Sequence, residues 1–176
     1  MHHVITLENK KTLIAKPLEA DDVAAFYAYQ DNLGAQTRFT MQYPGRPKKP
    51  GEKTIAQFHD INQLNIGIWD GNELIGVIGA ALKRLDHPWV SHVCEFCIGI
   101  LKGYQGMGLG TKMMQMMESW AKSKNVKRLE GRVRAKNRAG IALYLKCGFS
   151  IEGHHPHTAF IDGQWHDEYT VGKLLD

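Results

Sequence analysis

The chain predicts an α/β fold class: a single layered domain in which one sheet carries helices packed on it. Apolar, β-branched stretches of strand length alternate along it with stretches whose apolar residues recur at helical spacing. Turn chemistry separates these stretches, most plainly at Asp70-Gly71-Asn72 between two apolar runs. A glycine-rich run, Gln105-Gly-Met-Gly-Leu-Gly110, then follows one apolar stretch and opens a helical pattern. With 176 residues, 43% of them hydrophobic and 23% charged, the chain suits a single domain over residues 1–176 with its own core.

Residues Thr12 to Lys16 read as a first strand, stopped by Pro17. Asp21 is placed to cap a helix from Asp22 to Gln30, with Asp22 adding charge that favours its N-terminus. The stretch from Tyr43 to Gly51, rich in Pro, Gly and base, is the clearest loop. Ile55, Phe58 and Ile61 then share one face of a helix expected over Glu52 to Leu64. Ile66 to Trp69 and Leu74 to Leu85 form a hairpin, Asp86 to Ser91 breaks the pattern, and His92 to Ile100 is the next strand. After the glycine loop comes a helix from Thr111 to Ser123 with a broad buried stripe of Met113, Met114, Met116, Met117, Trp120 and Ala121. A strand over Arg128 to Arg134, a helix over Asn137 to Lys146, and a pair of strands around Asp162-Gly163 complete the order. No internal repeat interrupts it.

Composition narrows the function. A formal charge of +4, spread along the chain, gives little support for nucleic-acid binding, though it does not oppose a polyanionic ligand. No apolar run approaches the roughly 18 residues of a membrane span, and the start, Met1-His-His-Val, lacks a signal-peptide core, so a cytoplasmic protein is expected. Three cysteines, an odd number, do not form a disulfide framework. Cys94 and Cys97 lie three apart on a strand, facing opposite sides, and so cannot chelate one metal ion without a bulge; they are expected to be structural. His154, His155 and His157 form a further cluster, able in principle to supply a base or a metal site, and with His166 and Cys147 they are the possible metal partners of the cysteine pair.

A glycine-rich turn between a strand and a helix lets backbone approach a ligand, and it aims unpaired helix N-terminal N–H groups at an anion such as phosphate. A P-loop fails on spacing, because Gly110 is followed by Thr111 and only then by Lys112. A dinucleotide fingerprint also fits poorly, although Glu130 stands about 20 residues on, where a ribose-binding acid would fall. What does match is Gln/Arg-x-x-Gly-x-Gly/Ala, as Gln105, Gly108 and Gly110. Downstream, Asn137-Arg-Ala-Gly-Ile-Ala-Leu-Tyr144-Leu-Lys-Cys-Gly148-Phe149 forms an Asn-led helix that carries a tyrosine and ends in Gly-Phe. Together the two blocks, in this order, resemble the GNAT N-acetyltransferase family. The tail, with Glu152-Gly153, Asp162-Gly163 and Asp167-Glu168, resembles its ribosomal-protein and polyamine branch.

That resemblance implies a mixed, mostly antiparallel central sheet of about seven strands flanked by about four helices. It implies acetyl-CoA as co-substrate, with no metal. The cofactor-binding positions it carries over are Ile98, Ile100, Gln105, Gly106, Met107, Gly108, Leu109, Gly110, Thr111, Asn137 and Tyr144. In such enzymes the tyrosine hydroxyl sits by the thioester sulfur and protonates the departing thiolate, which assigns Tyr144 as a catalytic acid. A tyrosine, with an unperturbed pKa of about 10, holds its proton at neutral pH.

Glu95 is the candidate base. Burial in an apolar strand would raise its pKa and fit it to accept a proton from an ammonium, directly or through water. The best-known carboxylate base of the family aligns one residue away, nearest Cys94, and neighbouring strand residues face opposite ways unless a bulge intervenes. The implied reaction is direct transfer to a primary amine in a ternary complex, with a strand N–H, at Ile100, stabilising the oxyanion. The alternative is a GNAT-fold module that binds acetyl-CoA without catalysis. Partners are acetyl-CoA and an amine acceptor, without nucleic acid or membrane, and with homodimerisation left open. Loops around residues 31 to 53, 86 to 91 and 154 to 165 are expected to choose the amine.

Overall fold

The computed structural model describes residues 3–175. Eight strands form one sheet in the order β1-β2-β3-β4-β5-β6-β8-β7. They are β1 His3–Thr6, β2 Thr12–Pro17, β3 Gln63–Asp70, β4 Glu73–Leu82, β5 Val93–Ile100, β6 Arg128–Arg134, β7 Ser150–Ile161 and β8 Gln164–Leu174. Every neighbouring pair is antiparallel except β5 and β6. Four α-helices, α1 Val23–Gln36, α2 Gly51–Phe58, α3 Leu109–Ser123 and α4 Arg138–Lys146, complete the layers. The mixed, mostly antiparallel sheet and its four helices agree with the sequence expectation. The additional strand is β1, whose four residues bury only Ile5 and leave too short an alternation to be read locally.

Local chemistry accounts for the other differences. Asp22, not Asp21, precedes α1; its carboxylate accepts from the Glu19 N–H and from Lys16 Nζ at 2.9 Å. No breaker stands after Gln30, so α1 runs on to Gln36. Gly34 on this added turn is needed for close approach, because a Cβ there would lie 2.9 Å from the backbone of Tyr43 as the loop returns. The second helix stops at Phe58, six residues before the expected Leu64. There Asp60 accepts from the Asn62 N–H at 2.9 Å, forming an Asx turn that ends the helix and leads into β3. Ile61, expected on the buried face, is therefore 75% exposed.

The core is centred on α3 against the sheet. Met113, Met117 and Ala121 are fully enclosed and Met114 nearly so, whereas Met116 and Trp120 are half-buried at the stripe's margin. Helices α3 and α4 cover one face, where Met113 meets β4 at Gly76 and Leu143 meets α3 at Gly110. Helix α1 covers the other face, with Tyr29 and Leu33 against Gly99 of β5. Met117→Ala is expected to cost about 2–5 kcal/mol, because it leaves a cavity that close packing cannot refill. Equilibrium urea unfolding with an unchanged m-value reads this, and a loss below about 1 kcal/mol would show that the core relaxes around the gap.

Candidate active site

The parallel pair sets the geometry. Strands β5 and β6 are in register only at Val93/Arg128, Cys94/Leu129 and Glu95/Glu130, yet β5 continues to Ile100 and β6 to Arg134. Beyond Glu95 the two strands part. The register of β5 on β4 is uniform, and the bonds Lys83 N–H to Val93 O and Leu101 N–H to Ile75 O mark its odd-numbered residues as those paired to β4. The Phe96 carbonyl and the backbone groups of Ile98 and Ile100 therefore face the opening, without a strand to take them. An extended ligand can be held there as a strand would be.

The glycine loop begins where this opening ends. Gln105 Nε2 donates to the Ile100 carbonyl at 2.7 Å, tying the loop to the strand. Gly106 and Gly108 have φ of 75° and 78°, conformations that a side chain resists. Gly108 is the N-cap of α3 and supplies no side-chain cap, so the first N–H groups of the helix, those of Leu109, Gly110 and Thr111, are free for an anion. Gly110 plays another part: a Cβ there would lie 2.9 Å from Leu143, so glycine lets α4 close on α3.

Helix α4 delivers the tyrosine. Asn137 caps it, accepting from the Gly140 N–H at 3.0 Å, which leaves its Nδ2 for a ligand. Tyr144 is 7% exposed, its ring edge-on to Phe96 at 5.4 Å and tilted on Phe149 at 5.9 Å. Gly131 leaves room for the Phe96 ring, against which any Cβ at that position would press. The Tyr144 hydroxyl makes no hydrogen bond within the described residues. Burial above all, then the nearby Cys97, raises its pKa above the tyrosine range, so the hydroxyl keeps its proton at neutral pH.

Glu95 departs from expectation. It is not buried: its side chain is 59% exposed, and Lys83 Nζ holds it at 2.8 Å while reaching Glu130 at 3.2 Å. No bulge intervenes in the pairing of β5 with β4 to redirect it; the irregularities of the sheet lie in the β3–β4 and β7–β8 pairs. Glu95 thus faces the α1 side together with Cys97, and Cys94 lies fully buried on the other side. Three of the four histidines are engaged elsewhere, and the buried Nδ1 of His166 has no partner among the described residues. His154 pairs with Asp167 at 2.9 Å, His155 with Thr170 at 2.6 Å, and His157 stacks on Trp165.

Residues unmarked by sequence motifs also converge here. Tyr29 of α1 is 4% exposed, and its hydroxyl lies unpartnered against β5 at Gly99. Cys97, open to solvent, lies near both tyrosines, and its thiolate, when formed, opposes ionisation of each. On β6, Arg134 is buried and bound to Glu168 of β8 at 2.9 Å.

Comparison with known proteins accords with this arrangement. The model of the acetyltransferase (GNAT) family matches residues 27–149. The chain belongs to the acetyltransferase (GNAT) family. It is an acetyl-CoA-dependent N-acetyltransferase. The spermidine N(1)-acetyltransferase of Escherichia coli K12 is 29% identical over 153 residues, covering 85% of this chain and 79% of its own. An L-amino acid N-acetyltransferase of the same strain, AaaT, is 27% identical over 139 residues, 77% of this chain and 82% of its own. Among solved structures, a GNAT-family acetyltransferase from Streptococcus pneumoniae superposes with a TM-score of 0.85 at 26% identity, over 93% of this chain and 99% of the other.

In this GNAT enzyme Cys97 is a probe of the opening. Desolvation raises its pKa although the thiol is open to solvent. Because a raised pKa keeps the thiolate scarce until high pH, alkylation of Cys97 should still accelerate above about pH 9, beyond the ordinary thiol value of about 8.5. Saturating acetyl-CoA should slow it at least about tenfold, read by mass spectrometry of the Cys97 peptide. Equal rates with and without acetyl-CoA would remove this thiol from the site.

Proposed function

We propose that the enzyme acetylates a primary amine by direct attack in a ternary complex. The observation that carries this reading is the opening between β5 and β6, which presents the unpaired backbone N–H groups of Ile98 and Ile100 on the strand whose Phe96 ring packs against Tyr144. Acetyl-CoA is the substrate that supplies an activated acyl group there. The backbone from Gln105 to Thr111 holds its pyrophosphate, and Asn137 Nδ2 is a further contact. The Ile100 N–H, or that of Ile98, stabilises charge developing on the carbonyl oxygen. Tyr144 gives its proton to the departing sulfur and is restored from solvent.

Proton removal from the amine falls to Glu95 or to water. Glu95 stands where the strands part, on the side away from α3 and α4, with Lys83 Nζ at 2.8 Å from its carboxylate. That face is where an acceptor can approach without crossing the coenzyme. The relatives named above act, by name, on spermidine and on L-amino acids, so both an oligoamine and an amino acid belong to the range to be tested. Three unpaired thiols suit a reducing compartment, and we place the enzyme in the cytoplasm on that ground. Neither nucleic acid nor a second copy of the chain is needed for this chemistry.

Tyr144→Phe keeps the ring against Phe96 while deleting the proton donor. Turnover, followed as thiol release, should fall at least about tenfold, within the general-acid range of 10² to 10⁴ or below it, with little change in the Michaelis constant for acetyl-CoA. Single-turnover kinetics should show the same loss, and an unchanged rate would make Tyr144 a packing residue. Gly108→Asp tests the anion site, since aspartate tolerates the left-handed backbone but repels pyrophosphate. The variant should stay folded and lose the thermal shift given by acetyl-CoA. Undiminished affinity by calorimetry would remove the loop from the site.

A further inference from the structure

The acceptor side of the opening carries surplus positive charge. In parallel strands residues in register face the same way, and Lys83, bridging Glu95 and Glu130, marks that shared side on β5 and β6. Continued past the last pair, the same register sets Cys97 and Gly99 opposite Arg132 and Arg134, across a gap that starts at about one strand spacing, 4.8 Å, and widens. Two guanidinium groups therefore line the far wall.

These two cations share a single carboxylate. Glu168 lies 2.9 Å from Arg134 and 3.8 Å from Arg132, whose side chain is 65% exposed. Arg134 is 5% exposed, and its Nη1 also reaches Thr158 at 3.3 Å. Among the described residues its Nη2 meets only the Met41 sulfur, at 3.8 Å. A thioether is a weak acceptor, so a buried cation is left short of a partner where its planar fork could take an oxyanion. Met41 belongs to the α1–α2 connection, which is pinned above by Arg38 to Asp162 at 2.9 Å; its own side chain is unbranched and exposed, so it can move aside. The other carboxylates on these two strands, Glu95 and Glu130, are already held by Lys83, and Glu130 also by Arg128 at 2.8 Å. A polycation finds no free carboxylate on this wall, whereas an anion finds two guanidiniums for one.

We infer that the acceptor is an amine that also carries a carboxylate, of the amino-acid class, bound through Arg132 and Arg134 so that its nitrogen lies over Cys97 at the opening. This rests on the acetyl-transfer reading above. Charge-assisted bonds from a guanidinium to a carboxylate fix both position and charge, so amidation of the ligand should be costly.

The test is calorimetry on the full chain saturated with coenzyme A, which lacks the acetyl group and so prevents turnover. Free amino acids, their carboxamides and spermidine are titrated in turn. At least one amino acid should bind more than tenfold tighter than its carboxamide and tighter than spermidine. Arg132→Gln, at an exposed position, should abolish that preference without changing coenzyme A affinity, and Arg134→Lys should weaken it. The inference is overturned if no amino acid outbinds its amide, if spermidine outbinds them all, or if Arg132→Gln leaves the preference intact. Carboxylate-dependent binding without acetylation of any bound amine would instead count against the transfer reading while leaving the carboxylate site at Arg132 and Arg134 standing.

Discussion

The parting of β5 and β6 after Glu95 and Glu130 is the constraint on which the site depends. A parallel pair cannot be turned by a short hairpin, so the chain between them must cross over, and here the crossover is the glycine loop with α3. The same crossover that joins the strands therefore puts a helix N-terminus at the mouth of the gap between them. Had pairing continued to Ile100, the groups of Ile98 and Ile100 would be spent on β6, and no ligand could use them.

Side-chain volumes hold the gap in shape. Gly131 admits the Phe96 ring, Phe96 backs Tyr144, and Phe149, just beyond α4, closes the trio. This aromatic wedge on the α3–α4 side fixes the tyrosine without using its hydroxyl. On the opposite side Gly99 admits Tyr29 and Gly79 approaches Cys97, so α1 sits low on the strands. Two small residues on β5 and β6, one per face, thus decide how deep the ligand space can be.

Sequence patterns carried the parts whose causes are local. Strand β6 has the bounds its pattern implies, α3 and α4 begin within two residues of expectation, and Asn137 caps α4 because an Asn there can reach back to the Gly140 N–H. The glycine loop was legible because a positive φ at Gly106 and Gly108 demands a particular residue type. What stayed hidden was non-local. The exposure of Glu95 depends on Lys83 just after β4 and Glu130 from β6, and the end of α2 depends on Asp60 preferring its own turn. Arg134 and Glu168 are 34 residues apart in sequence and meet because β8 slots between β6 and β7, an insertion that no local period encodes.

That insertion also orders the assembly of the molecule. Strand β7 is made before β8 but has no place on the sheet until β8 has joined β6, since β8 alone touches both. While β8 is missing, the outer edge of β6 is bare, and Arg134 has neither Glu168 beside it nor a hairpin in which to be enclosed. The ligand-facing wall is consequently among the last surfaces to form as the polypeptide emerges. A nascent chain can complete the methionine-rich core around α3 while its acceptor side is still open, and it is over that interval that the unpaired β6 edge is most exposed to pairing with a neighbouring chain.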